Sequence, residues 1–177
     1  MSAFKKASAT KSSMNARGAF LKMRNGDTKV AMIVMPGDVI TYYKHDTWGT
    51  GKQVHHVCLD FDGTGTPCPG CAAGIPRVRK YAIPVVVEGG DTKILETGVK
   101  IFEQLKKAAA TEPNEFIGRW FNINRSGSGR GTKYEVTAMM SKLSQVPDTY
   151  PDISKLLISD LDKIEALYNS ADDDIDL

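Results

Sequence analysis

All cysteines and histidines of this chain fall within one segment, residues 45–71, and this segment most constrains the fold. The cysteines are Cys58, Cys68 and Cys71, and the last two enclose a Pro-Gly pair that favours a tight turn. Zinc binds four nitrogen or sulfur ligands in a tetrahedron, and a CxxC turn lets two thiolates reach one ion. Three cysteines and one histidine would complete that set. The segment therefore predicts one structural Zn²⁺ ion that staples a long loop.

Other uses of the cysteines must be weighed against a metal site. A disulfide between Cys68 and Cys71 would leave Cys58 unpaired, and the chain starts without a signal-peptide pattern, so we expect a protein that is not secreted. A redox CxxC normally opens a helix in a βαβ unit, whereas here proline and glycine surround the motif. Disulfide, redox and unligated cysteines therefore remain the lesser alternatives.

Spacing alone does not decide which histidine is the fourth ligand. The candidates are His45, His55 and His56. His56 lies on the same predicted strand as Cys58 and would share its face, because side chains two residues apart on a strand point the same way. The choice is open at this point.

The charge distribution is strongly asymmetric although the net charge is only +2. Residues 1–80 carry 12 lysines and arginines against 5 acids, and residues 140–177 carry 3 against 9. A basic front half favours a polyanionic partner, and an acidic end favours a basic one. No apolar run approaches the roughly 18 residues that a membrane helix needs.

The composition along the chain predicts four parts. Residues 1–18 are basic and poor in apolar anchors, so we expect a flexible N-terminal arm. Residues 19–140 form the folded domain, with the zinc insertion at about residues 45–75. Residues 141–168 form a helical segment, because apolar residues recur at helical spacing over 152–168. Residues 169–177 form an acidic disordered tail.

The acidic tail carries apolar residues among its acids, which favours a peptide that docks on a partner over a merely solvated end. The predicted partner-binding residues are Asp172, Asp173, Asp174, Ile175, Asp176 and Leu177.

The folded domain is predicted to be mainly β, with minor α. Apolar runs 20–24 and 29–35 flank Asn25-Gly26 and predict a hairpin, and runs 39–45 and 52–58 predict a second one that brings His45 near Cys58. Further strands are expected at 77–87, 92–96, 119–125 and 132–138, with a helix at 99–108. Short strands and one inserted helix indicate a small antiparallel barrel.

Basic and aromatic residues are interleaved on these strands, as single-stranded nucleic acid requires. Cations neutralise phosphates, and aromatic faces stack bases at about 1–3 kcal/mol each without demanding a sequence. Any one of these aromatics could instead belong to the core. The predicted DNA-binding residues are Lys22, Arg24, Tyr42, Tyr43, Trp48, Arg77, Arg79, Lys80, Tyr81, Trp120, Asn124, Arg125, Arg130, Lys133 and Tyr134.

The motifs do not fit the known kinds of zinc or nucleotide-binding enzyme site, and we predict that the protein is not an enzyme. A catalytic zinc keeps an open coordination position, whereas three cysteines and a histidine fill the shell. Zinc deaminases pair a Pro-Cys-x-x-Cys motif with His-x-Glu. The first is present at residues 67–71, but His-x-Glu occurs nowhere in the chain. The Gly-x-Gly-x-Gly stretch at 127–131 precedes a strand rather than a helix, so it predicts no phosphate cradle.

The motif order resembles the zinc-containing single-stranded DNA-binding proteins of tailed bacteriophages. The matching stretches are Phe20-Leu21-Lys22, Tyr42-Tyr43-Lys44-His45, Cys-Pro-Gly-Cys, Asn124-Arg125-Ser126-Gly127 and Thr132-Lys133-Tyr134-Glu135-Val136. The family's His-x12-Cys-x9-Cys-x2-Cys spacing is met by His45, Cys58, Cys68 and Cys71, so the resemblance implies His45 as the ligand, with His56 as the alternative.

The resemblance also implies that the barrel has the oligonucleotide/oligosaccharide-binding (OB) fold, and it implies a function. That function is sequence-independent binding and protection of single-stranded DNA in phage replication, recombination and repair, in the cytoplasm of the host bacterium. It implies self-association on DNA through the basic arm and binding of replication and recombination proteins through the acidic tail. The alternative is a zinc-stabilised protein-interaction or transcription-regulating module that docks on a polymerase. RNA as the substrate stays open, because the sequence carries no 2′-hydroxyl signature.

Overall fold

A long strand, Arg77–Val87, is the centre of the fold in this computed structural model, which describes residues 16–46, 55–60, 65–109 and 116–153. The strands in these ranges are β1 (Gly26–Met32), β2 (Ile40–Asp46), β3 (His55–Val57), β4 (Arg77–Val87), β5 (Thr92–Gly98), β6 (Arg119–Ser126) and β7 (Lys133–Lys142). The helices are α1 (Ala16–Ala19), α2 (Pro69–Ala72) and α3 (Val99–Ala109), with short 3-10 turns at Pro36–Asp38 and Gly129–Gly131.

All seven described strands belong to one antiparallel sheet, in the order β3-β2-β4-β1-β6-β7 with β5 on the other edge of β4. One edge of β4 pairs first with β2, through Ala82, and then with β1, from Val85. Pro84 lies where that edge passes from one partner to the other. Proline has no N–H to donate, so it is tolerated at this break.

The main core lies on one face of the sheet and is covered by α3. Tyr81, Ile83 and Val85 alternate along β4 on this face, and they pack with Phe121 and Ile123 of β6 in the same buried cluster. The alternation follows from the two-residue period of a strand.

The predicted helix is confirmed, and its apolar side closes the main core. Ile101, Phe102 and Leu105 are at most 6% exposed, and the Phe102 ring stacks on Tyr81 with centroids 4.0 Å apart. Val99, in the first turn of α3, is 44% exposed.

The opposite face of the sheet is covered in part by the segment that follows β7. Leu143, Val146 and Tyr150 pack against Ala31, Ile33 and Val86. Farther along, Ile153 joins a cluster with Tyr42, Ala82 and Ile94. The C-terminal segment therefore straps β1 and β4 on their outer side.

No pairing joins β5 to β7 among the described residues, so the sheet is open and a closed barrel is not formed there. A side chain of α3 lies against β7 instead. Gln104 Nε2 donates to the Tyr134 carbonyl at 3.3 Å, and its Oε1 accepts from the Val136 N–H at 3.1 Å. The Gln104 amide thus satisfies two backbone groups that an adjacent strand would otherwise pair.

Gln104→Ala should lower the free energy of unfolding by about 1 kcal/mol, since two partly buried backbone groups lose their partner. Urea unfolding followed by circular dichroism would measure this. Glu103→Ala, one residue earlier on the exposed side of α3, is the control and should change stability less. If the two variants lower the free energy of unfolding equally, the loss of stability arises within α3 and not from the contacts between Gln104 and β7.

The sheet corrects one sequence-based prediction and confirms another. Residues 20–24 do not pair with β1, because β4 and β6 already occupy both of its edges. They run beside β5 instead, where Leu21 N–H donates to the Ile94 carbonyl at 2.8 Å. The second hairpin is confirmed, since β2 pairs with β3, although its turn lies outside the described residues.

The predicted terminal parts fall largely outside the described ranges. Of the arm 1–18, only 16–18 are described, and they lie in α1. Of the segment 141–168, residues 141–142 end β7, residues 143–152 contain no helix, and 154–168 lie outside, as does the tail 169–177. Within the part of the chain that is described, no helix is long and apolar enough to cross a bilayer.

Candidate metal centre and the adjacent basic cluster

Two local structures bring the cysteines to β2. Antiparallel pairing sets His45 opposite His56, and the Cys58 N–H continues the ladder by donating to the Tyr43 carbonyl at 2.8 Å. The Cys-Pro-Gly-Cys stretch forms the single turn α2, in which Ala72 N–H donates to the Cys68 carbonyl at 3.0 Å. Proline at the first helical position suits this turn because its missing N–H is not needed there.

The four ligand atoms of His45, Cys58, Cys68 and Cys71 all lie within 4.8 Å of one another. Cys58 Sγ and Cys71 Sγ are 3.6 Å apart. His45 Nε2 lies 3.4 Å from Cys68 Sγ and 3.5 Å from Cys71 Sγ. A tetrahedron with zinc–ligand bond lengths has edges of about 3.8 Å between sulfurs and about 3.6 Å between sulfur and nitrogen. The four residues could therefore hold one metal ion, and their geometry fits a structural zinc site.

His45 is held in the orientation that a ligand needs. Its side chain is fully buried, and Nδ1 lies 2.9 Å from the Ile75 carbonyl, which accepts the Nδ1 proton and leaves Nε2 to face the cysteines. Such a second hydrogen bond fixes the tautomer of metal-binding histidines. Burial lowers the pKa of His45, and the charges of His56 and Arg77 add to this, so the ring is neutral, as a ligand must be.

His56 is placed beside this group rather than in it. Its ring centroid is 5.0 Å from that of His45, and its Nδ1 lies 2.9 Å from the Val57 carbonyl. His45 and His56 lie opposite one another in the strand pair, and only the His45 ring reaches the sulfur atoms.

The pKa values of two of the three thiols are shifted in opposite directions. Burial of the sulfur atom, followed by its hydrogen bond with Cys58, raises the pKa of Cys71 to about 12, although the residue as a whole is exposed. For Cys68, burial acts upward, but backbone hydrogen bonds from Cys71, Leu59 and Gly70 outweigh it and lower the pKa. A cation in the centre would favour all three thiolates.

Solvent reaches the group from one side. An open pocket of about 550 Å³ is bordered by Asp60, Thr66, Cys68 and Cys71.

A basic cluster adjoins the metal centre on the same face of β2. Tyr43 and His45 are two residues apart on this strand, and their partners on β4 are Arg79 and Arg77. The guanidinium carbons of Arg77 and Arg79 lie 5.3 and 5.5 Å from the Tyr43 ring centroid. Arg79 also donates to the Tyr43 hydroxyl, with Nη2 at 2.9 Å. We call Tyr43, Arg77 and Arg79 the Tyr43 cluster.

Two aromatic residues that the sequence assigned to DNA are core residues in the structure. Tyr42 is 1% exposed, and its hydroxyl donates to Glu96, which also pairs with Lys44 Nζ at 2.6 Å. Burial and the neighbouring carboxylate raise the pKa of Tyr42 above its usual range. Tyr81 is 7% exposed beneath Phe102. Neither ring has a face on which a base could stack, so the structure does not support Tyr42 and Tyr81 as DNA-binding residues.

The other predicted DNA-binding residues are spread over the sheet. Trp120 is half-buried and packs with Ala31 and Val86 on the face of the sheet opposite the main core. Asn124 Nδ2 donates to Asp27 at 2.8 Å, and Arg125 binds the Asn25 side chain at 2.8 Å and the Tyr134 hydroxyl at 3.3 Å. Trp48 lies outside the described residues. The remaining five residues are Lys22, Arg24, Lys80, Arg130 and Lys133. Lys80 is half-buried, and the other four are exposed.

One residue that the sequence did not single out connects the two features. Asp60 contacts Arg77 of the Tyr43 cluster and, through Gly65, the loop that carries Cys68. A lone aspartate after a cysteine carries no recognisable signal in the sequence.

Comparison with protein-family models finds no family that matches this chain, and comparison with curated proteins finds no match either.

Proposed function

We propose that this protein binds single-stranded DNA without regard to sequence and protects it, in the manner of the bacteriophage proteins that its motifs resemble. One observation carries the proposal: the half-buried Tyr43 ring lies beside two arginines, next to the loop that could hold a metal ion. Arginine neutralises phosphates, and an aromatic face stacks any base. The ion is Zn²⁺, and its role is to hold β3 and α2 against β2, with no part in chemistry on DNA.

The strand order supports an OB-type ancestry for the sheet. Along the path β5-β4-β1-β6-β7, with α3 between β5 and β6, the order is that of a five-stranded OB barrel opened at its closing pair. OB barrels are often only partly closed, and they bind oligonucleotides with their second and third strands and two loops, the loop after the first strand and the loop after the fourth. On this assignment the metal insertion lies in the first of those loops, and Arg130 lies in the second.

The proposal extends to the parts of the chain outside the described residues. The basic arm supports self-association along DNA, and the acidic tail recruits replication and recombination proteins in the cytoplasm of the host bacterium. The asymmetry of charge between the two ends supports this division.

Titration with fluorescent oligo-dT and with duplex DNA, each at about 50 and 200 mM salt, tests the proposal. We expect tight binding to the single strand, weak binding to the duplex, and a log–log salt slope of about −0.7 for each phosphate neutralised. Oligo-rU in parallel tests RNA. Absence of binding to oligo-dT at the lower salt would overturn the function and leave a zinc-stabilised protein-interaction module.

A further inference from the structure

We propose that Asp60 regulates the same DNA-binding surface, by occupying Arg77 in place of a phosphate. This inference rests on the proposed function. It assigns a role to a carboxylate that lies between the metal centre and the Tyr43 cluster.

The contacts of Asp60 point in two directions. Its main-chain carbonyl accepts from Arg77 Nη1 at 3.3 Å, and its Oδ2 lies 3.9 Å from the same nitrogen. Its Oδ1 accepts from the Gly65 N–H at 2.7 Å. The Asp60 carboxylate therefore contacts Arg77 with one oxygen and, with the other, the main chain of Gly65, which leads to Cys68.

Arg77 is positioned to respond to either anion. Its side chain is 43% exposed, so a phosphate can reach it, and it lies over the Tyr43 ring. An arginine side chain stays charged in proteins, so Arg77 can bind an anion at any pH of the assay. Because a guanidinium offers five donors in one plane, Arg77 can keep the Asp60 carbonyl while it exchanges the carboxylate for a phosphate.

The Asp60 carboxylate lowers the affinity of this surface for DNA. A negative charge about 4 Å from the guanidinium repels an incoming phosphate and must be displaced or screened. Asp60→Asn removes that charge and keeps an oxygen that can accept from Gly65. The substitution therefore separates the electrostatic role of Asp60 from its support of the loop.

Asp60→Asn should strengthen binding to oligo-dT about fivefold at 50 mM salt and steepen the log–log salt slope by up to about 0.7, one phosphate contact on a single strand. Zinc content should stay at one ion per chain. The charge-matched control is Glu88→Gln, which removes an acid paired with Lys29 at 3.0 Å, away from the Tyr43 cluster. It should raise affinity less than twofold, by net charge alone.

A double-mutant cycle locates the effect. In an Arg77→Gln background, Asp60→Asn should no longer strengthen binding beyond the Glu88→Gln control. The inference is overturned if the two acid variants behave alike, if the gain persists without Arg77, if affinity falls, or if Asp60→Asn loses its metal. If the wild-type protein fails to bind oligo-dT, the proposed function itself is overturned and the inference falls with it.

Discussion

His45→Asn should abolish stoichiometric zinc binding and lower the midpoint of thermal unfolding by about 10 °C or more. Asparagine places an amide nitrogen near the position of Nδ1, so the contact with the Ile75 carbonyl can persist while Nε2 is lost. Three thiols would then lack their fourth partner and their compensating cation. Structural zinc contributes about 10–16 kcal/mol in small peptides. The loss here should be smaller, since the main core beneath α3 does not depend on the metal loop.

His56→Asn is the matched control for this prediction. It changes the residue directly opposite His45 in the same strand pair, yet its ring is placed outside the ligand group. The variant should keep one zinc ion per chain and most of its thermal stability. Metal content by atomic emission and unfolding by calorimetry would measure both. Zinc retained in His45→Asn and lost in His56→Asn would exchange the roles of the two histidines.

Tyr43→Ala should weaken binding to oligo-dT by about 10- to 100-fold at 50 mM salt. A stacked base contributes about 1–3 kcal/mol, and removal of the ring also releases the two arginines that lie against it. Tyr43→Phe keeps the stacking face and loses only the hydroxyl that Arg79 contacts, so its affinity should stay within about threefold of wild type. The pair separates stacking from hydrogen bonding at one position.

Two controls accompany the Tyr43 variants. Zinc content must be unchanged, because the Tyr43 carbonyl pairs with the Cys58 N–H and a loosened strand could disturb the metal. Tyr42→Phe alters the neighbouring buried tyrosine and should reduce stability through loss of the bond to Glu96 while leaving DNA affinity near wild type. If Tyr42→Phe weakens binding as much as Tyr43→Ala does, the Tyr43 cluster is not the base-binding surface.

Much of the local structure could be predicted from the sequence because it depends on short-range rules. Apolar runs and turn residues indicated the strands, and the helix expected at 99–108 corresponds to α3. The three cysteines and the hairpin that brings His45 near Cys58 could be predicted from the sequence, and the resemblance pointed to His45 among the histidines. The one-turn helix at Pro69–Ala72 was not expected, because proline and glycine surround the motif.

Pairing partners were less predictable, since a strand shows its own faces but not its neighbours. Residues 20–24 had the pattern of a hairpin partner for β1, yet both edges of β1 were taken by β4 and β6, strands distant in sequence. The contact of Gln104 with β7 depends in the same way on how α3 meets a sheet that does not close.

The sequence by itself determined that this chain is mainly β. It also determined that the cysteines and a histidine lie in one loop region, where they could hold a metal ion, and that basic and aromatic residues are interleaved on the strands. Only the tertiary structure decided which members of each pair face the core. Tyr42 and Tyr43 are adjacent and chemically identical, and a strand must send them to opposite sides. Ile153 packs in the cluster that buries Tyr42, whereas Tyr43 is half-buried beside two arginines. Burial is a property of what packs against a residue, and that is set by distant parts of the chain.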